Sequence, residues 1–392
     1  MATDAVHCDD DVWLDATRMD IETLRAATAR CTRAEEVPHA VDVVSGVPVY
    51  DGGAVDALAA DPQASRALMA EWNRLLEHGA GVFAVRRAWS AALIDRVNVP
   101  FERMLDSVPA DTGDHFAVSG RNARVWNAHE KLAVADPDAF IDYVAVPTLA
   151  LAATAWLGPA YQVTAQLNLV RPGGRAQAPH RDYHLGFQSA ERVVRWPASA
   201  HRASAALTLQ GAVAHVAMPI ESGPTQLLPH SQAWSHGYAV KGHPDIDLLF
   251  AERRVQIALE PGDALFFNPA LLHAAGDNDS RDVQRLANLL QIGSAFGRTM
   301  EIVDRPRLVR ALYPTLLARR HERSLSGEAL ARVVAASADG YPFPVNLERE
   351  PPLADGPPAS QQDLLRDALR AGTPVERFER TLAAFEGLKR SC

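Results

Sequence analysis

Hydrophobic positions recur at helical spacing through the first part of the chain. After Asp61-Pro62, the residues Leu68, Met69, Trp72, Leu75 and Leu76 mark one face of a helix running to about His78, which Gly79-Ala80-Gly81 ends. Val82 to Val85 predicts a strand. Ser90 is a good cap for a second helix, with the stripe Leu93, Ile94, Val97, Phe101, Met104 and Leu105. Residues 107–135 read as loop and carry Trp126 and His129. An alanine-rich helix is expected over about 138–157. Ahead of this, residues 1–60 read as an N-terminal extension, with a helix near Asp20–Arg33 and a short strand pair around Gly46.

From about Tyr161 the period changes to two. Val163, Ala165, Leu167 and Leu169 fall on one face of a strand, and Thr164, Gln166 and Asn168 on the other. Further strands are predicted at Ala205–Gln210, Val255–Leu259, Ala264–Asn268 and Leu286–Ile292. Turn signals separate them at Pro172-Gly173-Gly174, Ser222-Gly223-Pro224 and Pro261-Gly262-Asp263. Several short strands with polar turns imply a sandwich or barrel. After Arg298 the pattern is helical again, over about 305–337. A Pro-rich extended segment, Tyr341–Pro358, then leads to one or two amphipathic helices over 360–389. The expected organisation is an extension at 1–60, a strand-rich domain with flanking helices at 61–300, and a helical extension at 301–392 packed on the core.

Composition narrows the class. With 392 residues, 47% apolar and 22% charged, the chain can bury a core without staples. Its three cysteines (Cys8, Cys31, Cys392) are scattered and odd in number, which fits neither a disulfide framework nor a zinc site and suggests a reducing cytoplasm. The acidic start has no basic and apolar leader pattern, and no apolar run reaches the length of a membrane span. A net charge of −9 argues against a nucleic-acid partner. The expected partner is a small molecule; oligomeric state has no signal in the chain.

The chemistry concentrates in Ala178-Pro179-His180-Arg181-Asp182-Tyr183-His184, followed far downstream by His273 and Arg285. A His-x-Asp pair with one distant His is the donor set of a 2-His-1-carboxylate iron(II) site, which leaves one face of the metal open. Arg285 can offer a planar fork to a carboxylate. Two other His-x-Asp pairs exist. His7-Cys8-Asp9 lies in an acidic tail, and His243-Pro244-Asp245 lies in a turn a short way before His273. Only His180 follows a strong strand and leaves enough chain for several strands to bring the donors together.

These motifs, in order, resemble the phytanoyl-CoA dioxygenase family of iron(II)/2-oxoglutarate oxygenases. The resemblance covers residues 70–298. It is carried by the helix-Gly-strand at Leu75–Val85, the helix at Ser90–Leu105, His180-Arg181-Asp182, Ser222-Gly223-Pro224 through Ser231, and Pro261-Gly262-Asp263 through His273 to Arg285. It implies an α+β fold with a double-stranded β-helix (jelly-roll, cupin-like) core flanked by N- and C-terminal helices. It implies His180, Asp182 and His273 as ligands of Fe(II), with 2-oxoglutarate and O2 as cosubstrates and succinate and CO2 as products. It implies Arg285 as partner of the distal carboxylate of 2-oxoglutarate, with Arg281 as the rival. Gln166 and Asn168 resemble family positions that hydrogen-bond the cosubstrate; an ordinary solvent-facing strand edge would show the same alternation. Pro229-His230-Ser231-Gln232 departs from the family's frequent Pro-Gly-Ser-His. Asp182, which related halogenases lack, favours hydroxylation or another oxidation of an unactivated carbon.

Tyr183, His184 and Trp196, with Arg181 nearby, are the candidates for holding an anionic or aromatic substrate; Arg195 and Arg202 lie in the same segment but read more readily as surface residues. Trp126 and Trp234 are candidates to pack over the site. Two other readings stand beside the oxygenase: a non-oxidative metal cupin of isomerase type, and a catalytically silent binding module.

Overall fold

The computed structural model describes residues 12–108, 122–351 and 356–391. The His7-Cys8-Asp9 pair, residues 109–121 of the stretch expected as loop, and part of the Pro-rich segment, 352–355, lie outside the described residues. Ten strands are found among those described: β1 (Asp42–Val44), β2 (Val47–Asp51), β3 (Val82–Arg86), β4 (Asn122–Val125), β5 (Gln162–Val170), β6 (Thr208–Ala214), β7 (Gln226–Leu227), β8 (Ala264–Phe267), β9 (His273–Ala274) and β10 (Arg285–Gly293). Eight of them form one sheet in the order β1-β2-β3-β8-β6-β10-β5-β4, and β7 pairs with β9. Every pairing is antiparallel except β2 with β3. The fold is therefore mixed α+β, built on a large and mostly antiparallel sheet.

The helices form where capping and periodicity placed them. Asp61 accepts from the Ala64 amide at the head of the helix Pro62–His78, and Ser90 does the same for Leu93 at the head of Ala91–Asp106. The first buries Leu68, Trp72, Leu75 and Leu76, and Trp72 stacks on Phe83 of β3 with centroids 4.6 Å apart. The alanine-rich stretch is two helices, Pro137–Val144 and Pro147–Leu157, bent by 59°. Pro147 disfavours helical backbone at the residue before it, so a single helix over 138–157 cannot run through. No single helix among the described residues is long and apolar enough to cross a membrane.

Other elements differ from expectation. Residues 198–205 form a helix, so the strand predicted at Ala205–Gln210 begins at Thr208. Short apolar runs do not distinguish the two states by period. Val255–Leu259 makes only isolated bridges, to Leu227 and Met218, in place of a continuous strand. The region expected as loop up to residue 135 holds β4 and the helix Ala128–Ala135. Because β2 pairs with β3, the boundary drawn at residue 60 cuts across the main sheet. At the other end, the helix Arg305–His321 buries Leu308, Val309, Leu312, Tyr313 and Leu316, and Tyr313 stacks on Phe378.

β5 explains where the site lies. Val163, Ala165 and Leu167 join the main core. The opposite face is buried too: Gln166 and Asn168 are each 7% exposed and line a cavity of about 720 Å³. The strand lies between β10 and β4, so it is an interior strand and not a sheet edge.

Candidate metal centre and its cavity

Two backbone pairings assemble the site. After the Pro172–Gly174 turn the chain returns so that His180 bridges His273, His180 N donating to His273 O at 3.0 Å and His273 N to His180 O at 3.1 Å. Asp182 N donates to Pro269 O at 2.8 Å. His273 belongs to β9, which β7 flanks through the Leu227–His273 pair. Segments far apart in sequence thus meet at one edge of the cavity.

The donor atoms converge. His180 Nε2 lies 3.6 Å from Asp182 Oδ1, and His273 Nε2 lies 3.4 Å from Asp182 Oδ2. The three ligand atoms all lie within 4.8 Å of one another. Each imidazole is oriented by its other nitrogen: His180 Nδ1 is 2.8 Å from Ala178 O, and His273 Nδ1 is 2.9 Å from Leu271 O. A carbonyl can only accept, so Nδ1 carries the proton and the Nε2 lone pair points inward. Gln210 Nε2 donates to Asp182 Oδ2 at 2.6 Å.

Electrostatics favour the same protonation states. Burial, and then the neighbouring His273, push the His180 imidazole toward its neutral form. Burial would raise the Asp182 carboxyl. The adjoining His273 and His180 and the Gln210 amide outweigh it and hold the group well below the usual carboxylate range. Two neutral nitrogens and one carboxylate are the donor set of a divalent transition-metal site. Atoms that share one ion at bonds of about 2 Å lie roughly 3–4 Å apart, as each histidine does from the carboxylate, and the whole set lies within 4.8 Å. The residues present fit iron(II).

Arg285 opens β10 and lines the same cavity, 5% exposed. Its Nη1 donates to Ser222 O at 3.2 Å and Gly276 O at 3.3 Å. Burial lowers its pKa to about 10, so it remains a cation at neutral pH. The floor beneath it is close-packed backbone. Gly223, at φ +72°, lies where a Cβ would come within 2.1 Å of Asp277 O, so the turn at Ser222-Gly223-Pro224 requires glycine. The rival Arg281 is exposed.

The substrate candidates fare differently. Tyr183 is fully buried away from the cavity, its hydroxyl 2.9 Å from His201 Nδ1 and donating to Tyr238 O at 3.0 Å. His184 Nε2 is 2.6 Å from Arg298 O, and His184 does not line the cavity. Trp196 is 47% exposed and also lies off it. The physical reason is local: past Asp182 the chain leaves extended geometry for a short 3-10 turn, His184–Phe187, so adjacency to Asp182 does not carry a side chain into the site. Arg181 lines the cavity, but its guanidinium is tied to Ala270 O and Gly237 O and packs on Trp234; Arg195 and Arg202 are exposed. Trp126 does line the cavity.

Sequence reading passed over Gln210, Gln291, Glu301, Arg124 and Lys241, all cavity-lining. Gln210 carried a signal, a polar side chain inside a buried strand. Glu301 lies in irregular backbone and carried none.

The family model of phytanoyl-CoA dioxygenase matches residues 78–287, more than half of the chain. A curated relative, "Dioxygenase andF" of Emericella variicolor, is 28% identical over 116 residues, which are 30% of this chain and 35% of the relative. The chain thus spans about a third of the length of that relative. Among solved structures, the non-heme alpha-ketoglutarate-dependent epimerase SnoN from nogalamycin biosynthesis is 22% identical, with a TM-score of 0.42 over 60% of this chain and 84% of its own. The carbocyclase SnoK from the same biosynthesis is 18% identical, with a TM-score of 0.46 over 67% of this chain and 92% of its own.

Proposed function

Because the chain belongs to the phytanoyl-CoA dioxygenase family, we propose that it is an iron(II)/2-oxoglutarate-dependent oxygenase that oxidises an unactivated carbon of a small molecule. The observation that carries this reading is the convergence of His180 Nε2, His273 Nε2 and the Asp182 carboxylate in a cavity that also holds the buried cation of Arg285.

His180, Asp182 and His273 would hold the iron. With 2-oxoglutarate and O2, that metal supplies an oxidant able to remove hydrogen from an unactivated carbon, 2-oxoglutarate leaving as succinate and CO2. The protein's own part is positional. Ala178 O and Leu271 O keep the two imidazoles in the tautomer that presents Nε2. Gln210 fixes one carboxylate oxygen of Asp182. Arg285 offers guanidinium donors to the distal carboxylate of 2-oxoglutarate, with Gln166 and Asn168 on the adjoining strand to meet the rest. Met218, Leu259 and Phe267 line the cavity and exclude water from the reacting carbon.

The antiparallel order of the main sheet, with the short β7–β9 ladder beside it, is what a double-stranded β-helix core would present. We assign the catalytic unit to the region 61–300 together with β1 and β2, and residues 301–392 to a helical buttress. A cytoplasmic location rests on the cysteine usage alone.

Anaerobic titration with Fe(II) and then 2-oxoglutarate tests the assignment. A visible charge-transfer band should appear in the wild type and vanish in His273→Ala and Asp182→Ala. Metal binding without a band would favour a non-oxidative metal cupin.

A further inference from the structure

Acidic residues outnumber basic ones over the whole chain, at a net charge of −9, yet the cavity shows the reverse. Its described lining holds four cations, Arg124, Arg181, Lys241 and Arg285, against two carboxylates, Asp182 and Glu301. Iron(II) and 2-oxoglutarate carry equal and opposite charge, so filling both sites leaves this surplus in place. Burial raises the Glu301 pKa, against the Asn127 amide, Lys131, Arg124 and Gln166, and protonation there would only enlarge the surplus.

Three of the four cations already have an occupation. Arg181 is tied to Ala270 O and Gly237 O and clamped between Trp234 and Tyr238. Arg124 donates to Gln166 Oε1 at 2.6 Å and acts on the charge of Glu301. Arg285 is assigned above to 2-oxoglutarate. Lys241 is left. Its ammonium donates to Gly186 O and Gln188 O at 2.5 Å each, which uses two of its three N–H donors. Those two carbonyls flank Phe187, which is 42% exposed and lines the same cavity. The backbone thus fixes a positive charge beside an open aromatic ring. Burial lowers the Lys241 pKa and the charge of Asp182 works against it, while Lys241 in turn disfavours a protonated His180. The cation therefore stands within electrostatic reach of the metal donors. Asp182 gives its charge to the metal, and no other carboxylate among the described residues acts on Lys241.

We propose that Lys241 binds an anionic group of the substrate, a carboxylate or a phosphate, whose attached apolar body lies against Phe187 with its reacting carbon toward the metal. A cationic head is disfavoured, because it would add like charge to a cavity that already holds an excess of it. The segment after Asp182, where the sequence placed the anion, supplies two carbonyls and a ring. The charge comes from the loop before the helix Pro244–Arg253. The inference rests on the oxygenase reading only in taking this cavity as the substrate site.

The test uses the full chain under anaerobic conditions, loaded with Fe(II) and saturating 2-oxoglutarate so that Arg285 is covered. Three probes share one apolar body: 4-phenylbutanoate, 4-phenylbutyl phosphate and the neutral 4-phenylbutanamide. Kd is read calorimetrically. One or both anions should bind at least about tenfold more tightly than the amide, and the tighter of the two assigns the head as carboxylate or phosphate. Lys241→Met should bring that preference to within about twofold, and Lys241→Arg, which keeps the charge, should retain it. A lysine that merely straps the His184–Phe187 turn gives a different result: Lys241→Met then lowers the melting temperature and weakens all three probes alike. That outcome, an amide as tight as both anions, no measurable binding of any probe, or a preference that survives Lys241→Met overturns the proposal. The charge-transfer band is recorded on the same samples. A missing band with a Lys241-dependent preference sinks the oxygenase reading alone, and a band without the preference sinks this inference alone.

Discussion

Arg181 and Arg285 are equally inaccessible, at 6% and 5% exposure, and both donate to main-chain carbonyls. They differ in what surrounds the rest of the guanidinium. Arg181 lies between Trp234 and Tyr238, 5.6 Å and 5.2 Å from their ring centroids, and ties Ala270 O and Gly237 O. Arg285 makes two longer bonds, 3.2 Å and 3.3 Å, from one nitrogen and faces a cavity. A guanidinium has five N–H donors. Burial therefore does not tell an arginine clamped by aromatic rings from one proposed to bind a carboxylate. Both line the cavity, and Arg181 keeps Nη2 without a partner; the ring clamp on Arg181 is what separates them.

The comparison breaks first at Arg181. Its replacement by Ala should cost about 2–4 kcal/mol, through lost stacking and two stranded carbonyls, yet leave 2-oxoglutarate affinity unchanged in the folded protein. Denaturant titration and calorimetry check both halves. Arg285→Ala should behave in the opposite sense, with the melting temperature nearly kept and the 2-oxoglutarate Kd raised about 100-fold. The sharpest single readout is the ligand-induced shift: at 100 times the wild-type Kd, 2-oxoglutarate should stabilise the wild type and Arg181→Ala by about 2.7 kcal/mol and Arg285→Ala by about 0.4 kcal/mol. Equal shifts in all three would erase the distinction.

Acid loosens the frame without touching either arginine. Burial lowers the pKa of His215 to about 3 and, with Arg305 adding to it, that of His129 to about 3 as well. The unfolded chain takes up these protons near pH 6.5 and the folded chain does not. Their contribution is thus full above about pH 6.5 and is lost as pH falls toward 3, by about 1–2 kcal/mol per histidine at pH 5. Melting at pH 7 and pH 5 should show it in wild type, and less in His215→Gln. The smallest effect is expected at Gln210→Leu, which should weaken Fe(II) binding about tenfold with little change in stability.

The donor set was legible because identity and order suffice for it: His180, Asp182 and His273 are unusual residue types, each placed beside a strand or turn. That Arg285 faces inward was legible through its place at the start of an apolar strand, which set it apart from the exposed Arg281. Tyr183 and His184 were chosen for adjoining Asp182, where the backbone turns; neither they nor Trp196 line the cavity. Gln210 ended a predicted strand, but its contact with Asp182 shows only once β6 is set beside the metal donors. Gln291 and Glu301 line the cavity from segments the motifs do not mark, and their place is visible only once the neighbours are assembled.

The reciprocal pair of backbone bonds between His180 and His273 gives the site a built-in reporter. Neither amide can exchange its hydrogen with solvent unless the two segments part, and parting them separates two of the three metal donors. Their deuterium uptake therefore measures how often the site comes undone, and any ion that bridges the imidazoles should slow both amides together.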